Sequence, residues 1–244
     1  MWFKFGEVHS DDLNIKVLRI RKPFLPDFQD QREYVPGKDG SIVYPQPFRE
    51  LTIEIDCLIL YSNRHKKVAE DRNLAKLYSY SEQKLILSDE SDVFYIGKLG
   101  GTFQSDRHKT LSSFTIEFIC QPFSYELEPI NQTYTKNSTE SFLVKPNGTA
   151  YSEFKISITP QSTINNLSIA VNEVILHYVG KVQAGQTLTI DTEEFDAELN
   201  DENVSMNLTG EFPVLYPGQN EIKITANTDF NYAANIEYYN RYLS

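Results

Sequence analysis

The stretch Ser113–Tyr125, SFTIEFICQPFSY, constrains the fold of this chain more than any other. Phe114, Ile116, Phe118 and Cys120 alternate with Ser113, Thr115, Glu117 and Gln121. A period of two sends alternate side chains to opposite faces, so this is a β-strand with one face in a core. Pro122 has no N–H for a ladder, and the strand is expected to end there. Phe123 and Tyr125 then anchor its exit. Two strands precede it, Leu85–Leu87 and Val93–Leu99, joined by the acidic turn Ser88–Asp92. Composition changes after Glu126, so the segment Leu85–Glu126 both organises and closes a first domain.

The rest of the chain supports a mainly β fold. Among 244 residues, 15 are Tyr and 15 are Phe, and hydrophobic residues reach 40%. Aromatic residues favour strands, and long helical periodicity is scarce. That length suits one large or two ordinary domains. The boundary is expected near residue 130, giving domains 1–130 and 131–244. In the first, Ile15–Ile20 is an early strand and Arg21–Phe28 an extended loop. Pro23 and Pro26 form a P-x-x-P spacing that SH3 domains read, but a stiff surface loop is the better account. Pro36-Gly37 suits a type II turn and Asp39-Gly40 a tight hairpin. Tyr34 then faces Val43 and Tyr44 along a hairpin arm. Leu51–Leu60 is a strand whose end, with Leu58 and Leu60, is two-sided. The single helix is expected over Lys66–Tyr80, capped by Ser62 or Asn63, with Val68, Leu74, Ala75, Leu77 and Tyr78 as its apolar stripe.

Glu128–Ser141 is polar, either a linker or an edge strand. Strands follow near 142–145, 151–159, 167–171, 174–179, 187–191, 204–209 and 221–226, with a tail strand near 235–243. Turns at Pro146-Asn147-Gly148, Pro160-Gln161, Val171-Asn172-Glu173, Ala184-Gly185 and Tyr216-Pro217-Gly218 separate them. Many short strands with regular turns mean a sandwich or jelly roll. No internal repeat is visible.

Charge and cysteine usage exclude several functions. The net charge is −11. Residues 131–244 carry 14 acidic and 6 basic side chains, against 20 and 17 in residues 1–130. A chain without a basic stripe does not bind nucleic acid or anionic membranes well. No apolar run reaches transmembrane length and no signal peptide is read at the N-terminus, so the six N-x-S/T sequons carry no glycosylation argument. Cys57 and Cys120 fall on apolar strand faces and read as small buried hydrophobes; a disulfide would require their strands to be neighbours.

No catalytic centre, cofactor or metal site emerges. His9 with Asp11 and Asp12 matches no zinc or calcium spacing and suits a solvated turn. Asp106-Arg107-His108 lacks a marked nucleophile. His65 precedes the helix, and His177 alternates with apolar neighbours in a strand. Gly97, Gly100, Gly101 and Thr102 lack the Walker lysine, and they read as a bend or bulge between strands. Asp191, Glu193, Glu194, Asp196, Glu198, Asp201 and Glu202 lack EF-hand order and suit a solvated loop. These readings point to a structural or binding protein rather than an enzyme.

The motifs together resemble one family. Phe5-Gly6 with Ser10-Asp11, Val35–Gly40, Leu85–Leu87 leading to Phe94–Gly97, and Phe118–Tyr125 carry the resemblance in the first domain. Asn147-Gly148-Thr149, Thr189-Ile190-Asp191 and Phe212–Asn220 carry it in the second. In this order and spacing the chain resembles the distal tail proteins (Dit) of siphophages and prophages of Gram-positive bacteria, over nearly its whole length. The resemblance implies two β-sandwich domains, the first with one α-helix and the second galectin-like. It implies a homo-hexameric ring at the distal end of the tail, assembled in the host cytoplasm. The ring would link the tail tube protein and tape-measure protein to the tail-associated (Tal) protein, and in many relatives to receptor-binding proteins. Longer relatives carry inserted sugar-binding modules, for which this chain has no room. Ring closure needs a heterologous interface. Phe24, Phe28, Tyr34, Tyr44 and Phe48 are the candidate ring-interface residues, since aromatics concentrate at interface cores. The other place for these rings is the core of their own domain. The alternative function is a carbohydrate-binding, receptor-binding module of a phage tail. A glycoside hydrolase would need two carboxylates across a cleft, and nothing in the sequence pairs them.

Overall fold

The computed structural model describes residues 1–61, 72–101, 106–107 and 111–243. The chain separates into two compact units, Met1–Leu127 with the C-terminal Leu243, and Glu128–Tyr242. Among the described residues it is built from strands, with short 3₁₀ turns and two α-helical residues, Arg72 and Asn73, that lead into one of them.

The first unit contains β1 (Phe3–Phe5), β2 (Val8–His9), β3 (Ile15–Arg21), β4 (Gln31–Glu33), β5 (Ile42–Tyr44), β6 (Leu51–Leu60), β7 (Gln83–Leu87), β8 (Glu90–Gly100), β9 (Asp106–Arg107) and β10 (Leu111–Glu126). Its main sheet runs β2-β1-β7-β8-β10-β6-β3. The alternation read from the sequence is observed on β6, where Leu51, Ile53, Ile55, Cys57 and Ile59 are buried and the intervening residues are not. On β10, Phe114, Ile116, Phe118 and Cys120 are buried likewise.

β1 and β10 are separated by two strands in the sheet, yet the rings of Phe3 and Phe5 lie 5.7 and 4.8 Å from that of Phe118. One continuous sheet therefore folds over itself, and its two halves face each other across a shared core. This is a sandwich made from one sheet.

Three expectations are corrected. Pro122 does not end the strand: β10 continues to Glu126, with a register shift against β8 between Cys120 and Ser124. An irregularity leaves a residue outside the ladder, which is where proline's missing N–H costs nothing. Gly97 and Gly100 are not a bend between strands but lie within β8. A Cβ on Gly97 would stand 2.5 Å from Cys120 Sγ and 2.7 Å from the Ile119 carbonyl, so the glycine permits close approach of β8 to β10. The helical element ends earlier than Tyr80. Its expected caps and Val68 lie outside the described residues; Leu74–Leu77 is a 3₁₀ turn and Tyr78 is extended. Leu74 and Leu77 alone are buried there, while Ala75 and Tyr78 are exposed, since a 3₁₀ turn eclipses positions three apart.

The second unit contains β11 (Ile130–Asn137), β12 (Ser141–Val144), β13 (Phe154–Pro160), β14 (Ile164–Val171), β15 (Val174–Val182), β16 (Leu188–Asp191), β17 (Asp196–Leu199), β18 (Glu202–Asn203), β19 (Leu208–Gly210), β20 (Asn220–Thr225) and β21 (Asn231–Tyr238). Two antiparallel sheets, β11-β21-β13-β16-β17-β18 and β12-β20-β14-β15-β19, enclose one hydrophobic core. The polar stretch after Glu128 is an edge strand, β11, paired along its length with β21. Asn220 is fully buried and fastens the turn before β20: it accepts from Tyr216 N–H at 2.9 Å and donates to the Tyr216 and Gly218 carbonyls at 2.8 and 3.1 Å.

β6 and β10 are neighbours, but Cys57 pairs with Phe114 and Cys120 with Leu51, so the thiols are six residues apart in register. Both are buried and free, and burial pushes each thiol pKa up to about 12. They act as small hydrophobes.

Candidate assembly surface

The segment between β3 and β6 leaves the main sheet and returns as an arm. Its middle is the β4–β5 hairpin, with Gln31 opposite Tyr44 and Glu33 opposite Ile42. The Lys38 N–H bonds to the Val35 carbonyl at 3.1 Å, closing the turn around Pro36-Gly37. Gly37 has φ of +84°, the value that the third position of a type II turn requires.

Both roots of the arm are tied down. At the first, Lys22 pairs with Glu90 and donates to Tyr95 Oη at 2.8 Å, while Tyr95 Oη donates to Glu90 Oε2 at 2.7 Å. Burial opposes both charges, but these hydrogen bonds outweigh it: Lys22 titrates above and Glu90 below the ordinary value. At the second root, the rings of Phe28 and Phe48 meet edge to face at 6.1 Å, and Phe48 meets Phe123 of β10 at 6.0 Å. The Arg49 N–H also bonds to the Asp27 carbonyl at 2.8 Å. The second half of β10, beyond the irregularity at Pro122, thus holds the arm through Phe123.

None of the five candidate residues enters the core. Phe24 is 95% exposed and Tyr34 75% exposed; Phe28, Tyr44 and Phe48 are also exposed. The structure brings Phe28 and Phe48 together at the root. Tyr44 stands on the hairpin, where its hydroxyl donates to Glu33. Leu25, Val35 and Val43 add to the exposed apolar surface, which sequence reasoning did not include. The segment from Pro23 to Phe28 also borders an open groove against Glu50–Thr52. Of the P-x-x-P, Pro23 is exposed on this surface and Pro26 is buried. Contiguous apolar exposure of this kind marks interaction sites.

The other candidate residues have ordinary roles. His9 caps the 3₁₀ turn Ser10–Leu13, accepting from the Asp11 N–H at 3.2 Å. His177 shares a 2.7 Å hydrogen bond with Ser168 across β14 and β15. His65 and His108 lie outside the described residues. In the acidic run, Asp191 pairs with Lys155 at 3.1 Å and Glu193 with Arg241 at 2.9 Å. Arg241 is buried and also pairs with Glu153. Among the described residues, no three His, Cys, Asp or Glu side chains converge to hold a metal, and no helix is long and apolar enough to cross a membrane.

Comparison with known proteins places this architecture. Residues 12–120 match the family model of the phage tail protein RIFT-related domain, and residues 147–242 that of the siphovirus-type tail component, C-terminal domain. The chain belongs to the siphovirus distal tail protein family. The Dit protein of phage SPP1, described as a paradigm of the hub adsorption apparatus of phages infecting Gram-positive bacteria, shares the fold: TM-score 0.80 and 14% identity, over 99% of both chains. Two structures of the phage p2 baseplate in its activated conformation, with Ca and with Sr, match at TM-score 0.47 and 10% identity over 96% of this chain and 97% of theirs. No curated protein matches by sequence. As a distal tail family member the chain is a component of the phage tail, and the exposed arm falls within the part matched by the first family model.

Proposed function

We propose that this chain is the hub of a siphophage tail tip, closing as a ring of six copies through the aromatic arm of its first unit. The observation that carries this reading is the arm itself: a family member whose Phe24 and Tyr34 rings stand in solvent while its roots are fixed by Lys22 and Phe48. Exposed rings on a tethered segment lose little conformational entropy on docking, because the segment is already placed. A surface that fits a different surface on the next copy closes a ring when the rotation permits.

In this role the ring joins the tail tube and tape-measure proteins to the tail-associated protein and the host-adsorption apparatus. It is assembled in the cytoplasm of a Gram-positive host, and it acts by geometry, without catalysing a reaction. The test is mass by light scattering with negative-stain imaging of the same peak. A hexamer with a central hole is expected. Replacing Tyr34 and Tyr44 together by Glu is expected to yield folded monomers; an intact ring from that variant would overturn the role of the arm.

A further inference from the structure

The second unit exposes a different apolar surface. The β16–β17 hairpin pairs Asp191 with Asp196, and the last residue of its loop is Phe195. Phe195 has φ of +55° and is 65% exposed. That backbone region favours glycine or asparagine, and hairpin loops place one of these there. A phenylalanine gives the turn strain and gives the core nothing. Folding explains neither its conformation nor its exposure, and strain held at such a position points to a function.

Phe195 has company. Its ring meets that of Phe212 edge to face at 5.2 Å. Met206, in the 3₁₀ turn Ser205–Asn207, is 97% exposed. Asp196 holds that turn beside the hairpin: it accepts from Ser205 and, at 2.7 Å, from Asn203. The Ser205 hydroxyl in turn accepts from the Ala197 N–H at 2.9 Å. The surroundings are predominantly acidic; the cations among them, Lys155 and Arg241, are paired with Asp191 and Glu193. Between Lys181 and Lys223 the sequence has no Lys or Arg, and its acids are Asp191, Glu193, Glu194, Asp196, Glu198, Asp201, Glu202, Glu211 and Glu221. Glu194, Asp201, Glu202 and Glu211 are exposed.

We propose that Phe195, Met206 and Phe212 form a docking surface for a positively charged protein segment that presents an apolar side chain. The rings and the methionine receive the apolar anchor, methionine adapting to its shape. The acidic rim attracts the basic flanks and repels acidic competitors, including this face of a second copy. A nucleic acid would meet like charge here.

The test uses the full chain, isotope-labelled, titrated with the pentapeptide RRWRR, with EEWEE as control. Saturable amide shifts are expected at residues 194–196, 205–207 and 211–212 with the basic peptide alone. The dissociation constant should rise at least tenfold between 50 and 300 mM salt, because exposed charges are screened. Phe195→Gly should weaken binding at least tenfold while leaving the melting temperature equal or higher, which separates docking from folding. Met206→Ser, at a fully exposed position, should weaken it without affecting the fold. Equal binding of both peptides, shifts centred elsewhere, or undiminished binding by the two variants would overturn the proposal. So would shifts of these amides with N-acetylglucosamine oligomers but not with RRWRR, which would assign the surface to saccharide.

Discussion

The arm of the first unit and the β16–β17 tip of the second both hold aromatic rings in water, but they reach that state differently. In the arm, the positive-φ positions are Gly37 and Gly40, residues that adopt this backbone without penalty. Its charges are mixed, with Arg32, Lys38 and Arg49 among Asp27, Asp30, Glu33, Asp39 and Glu50. At the tip, positive φ falls on Phe195, Asn200 and Asp201, and acids outnumber the cations Lys155 and Arg241, which pair with Asp191 and Glu193. The arm is therefore an unstrained excursion whose rings are free to meet any apolar partner, a copy of itself included. The tip is a strained turn whose acidic rim rejects a second copy of its own face.

That contrast can be broken or sharpened by substitution. The largest effect is expected beneath the arm. Phe118→Ala removes a fully buried ring that Phe3 and Phe5 pack against, and should cost about 3–5 kcal/mol. Hydrogen exchange should show the loosening in β1 and β10 and leave the tip protected as before. Beneath the tip, the buried Thr192 hydroxyl accepts from the Phe154 N–H at 2.8 Å and donates to its carbonyl at 3.0 Å. Thr192→Val takes the hydroxyl from the buried Phe154 N–H, while the carbonyl keeps the residue-192 N–H at 3.0 Å, and should cost about 1–2 kcal/mol by urea unfolding. Faster exchange there should begin at the hairpin and not in the arm.

The next effect is pH-dependent and belongs to the arm's root. Glu90 titrates below its ordinary value of 4.5, so its contribution is present above that value and lost as the pH falls through the lower, folded one. Lys22 titrates above 10.5, so its contribution is present below that value and lost as the pH rises past the folded one. Glu90→Gln should cost about 1 kcal/mol near neutrality, allowing for screening, and should abolish the acid-side loss. An unchanged acid melting profile would show that the Glu90 pair does not hold the first root.

The smallest pair tests the contrast most directly, because the signs differ. Gly37→Ala meets nothing within 4 Å, so only its positive φ is at issue, and it should destabilise by about 1 kcal/mol. Phe195→Gly should stabilise by about 0.5–1 kcal/mol, since glycine adopts this φ without strain. If thermal melts show the same sign for both, the distinction between an unstrained arm and a strained tip fails.

Much of the molecule was legible in the sequence, because a half-buried strand writes its own period. The alternation of β6 and the first half of β10 is a local property, set by which residues must leave water. The turn at Pro36-Gly37 is local too, since each residue's φ preference specifies its place. The five aromatics of the arm stood out by composition, but whether they entered a core was a question about distant residues.

Only the tertiary structure decided that question, along with the corrections. Pro122 reads as a stop by itself, and the chain passes it because β8 shifts register there. Gly97 reads as a bend, and its reason is a sulfur and a carbonyl more than twenty residues away. The fold of the sheet that sets Phe3 and Phe5 against Phe118, and the turn that places Phe195 beside Phe212, join residues remote in sequence. By itself the chain determined its strands, its turns and its β class, through local periodicity and backbone preference. Register, closure of the sheet, and which rings remain in water depend on long-range packing, which no local pattern encodes.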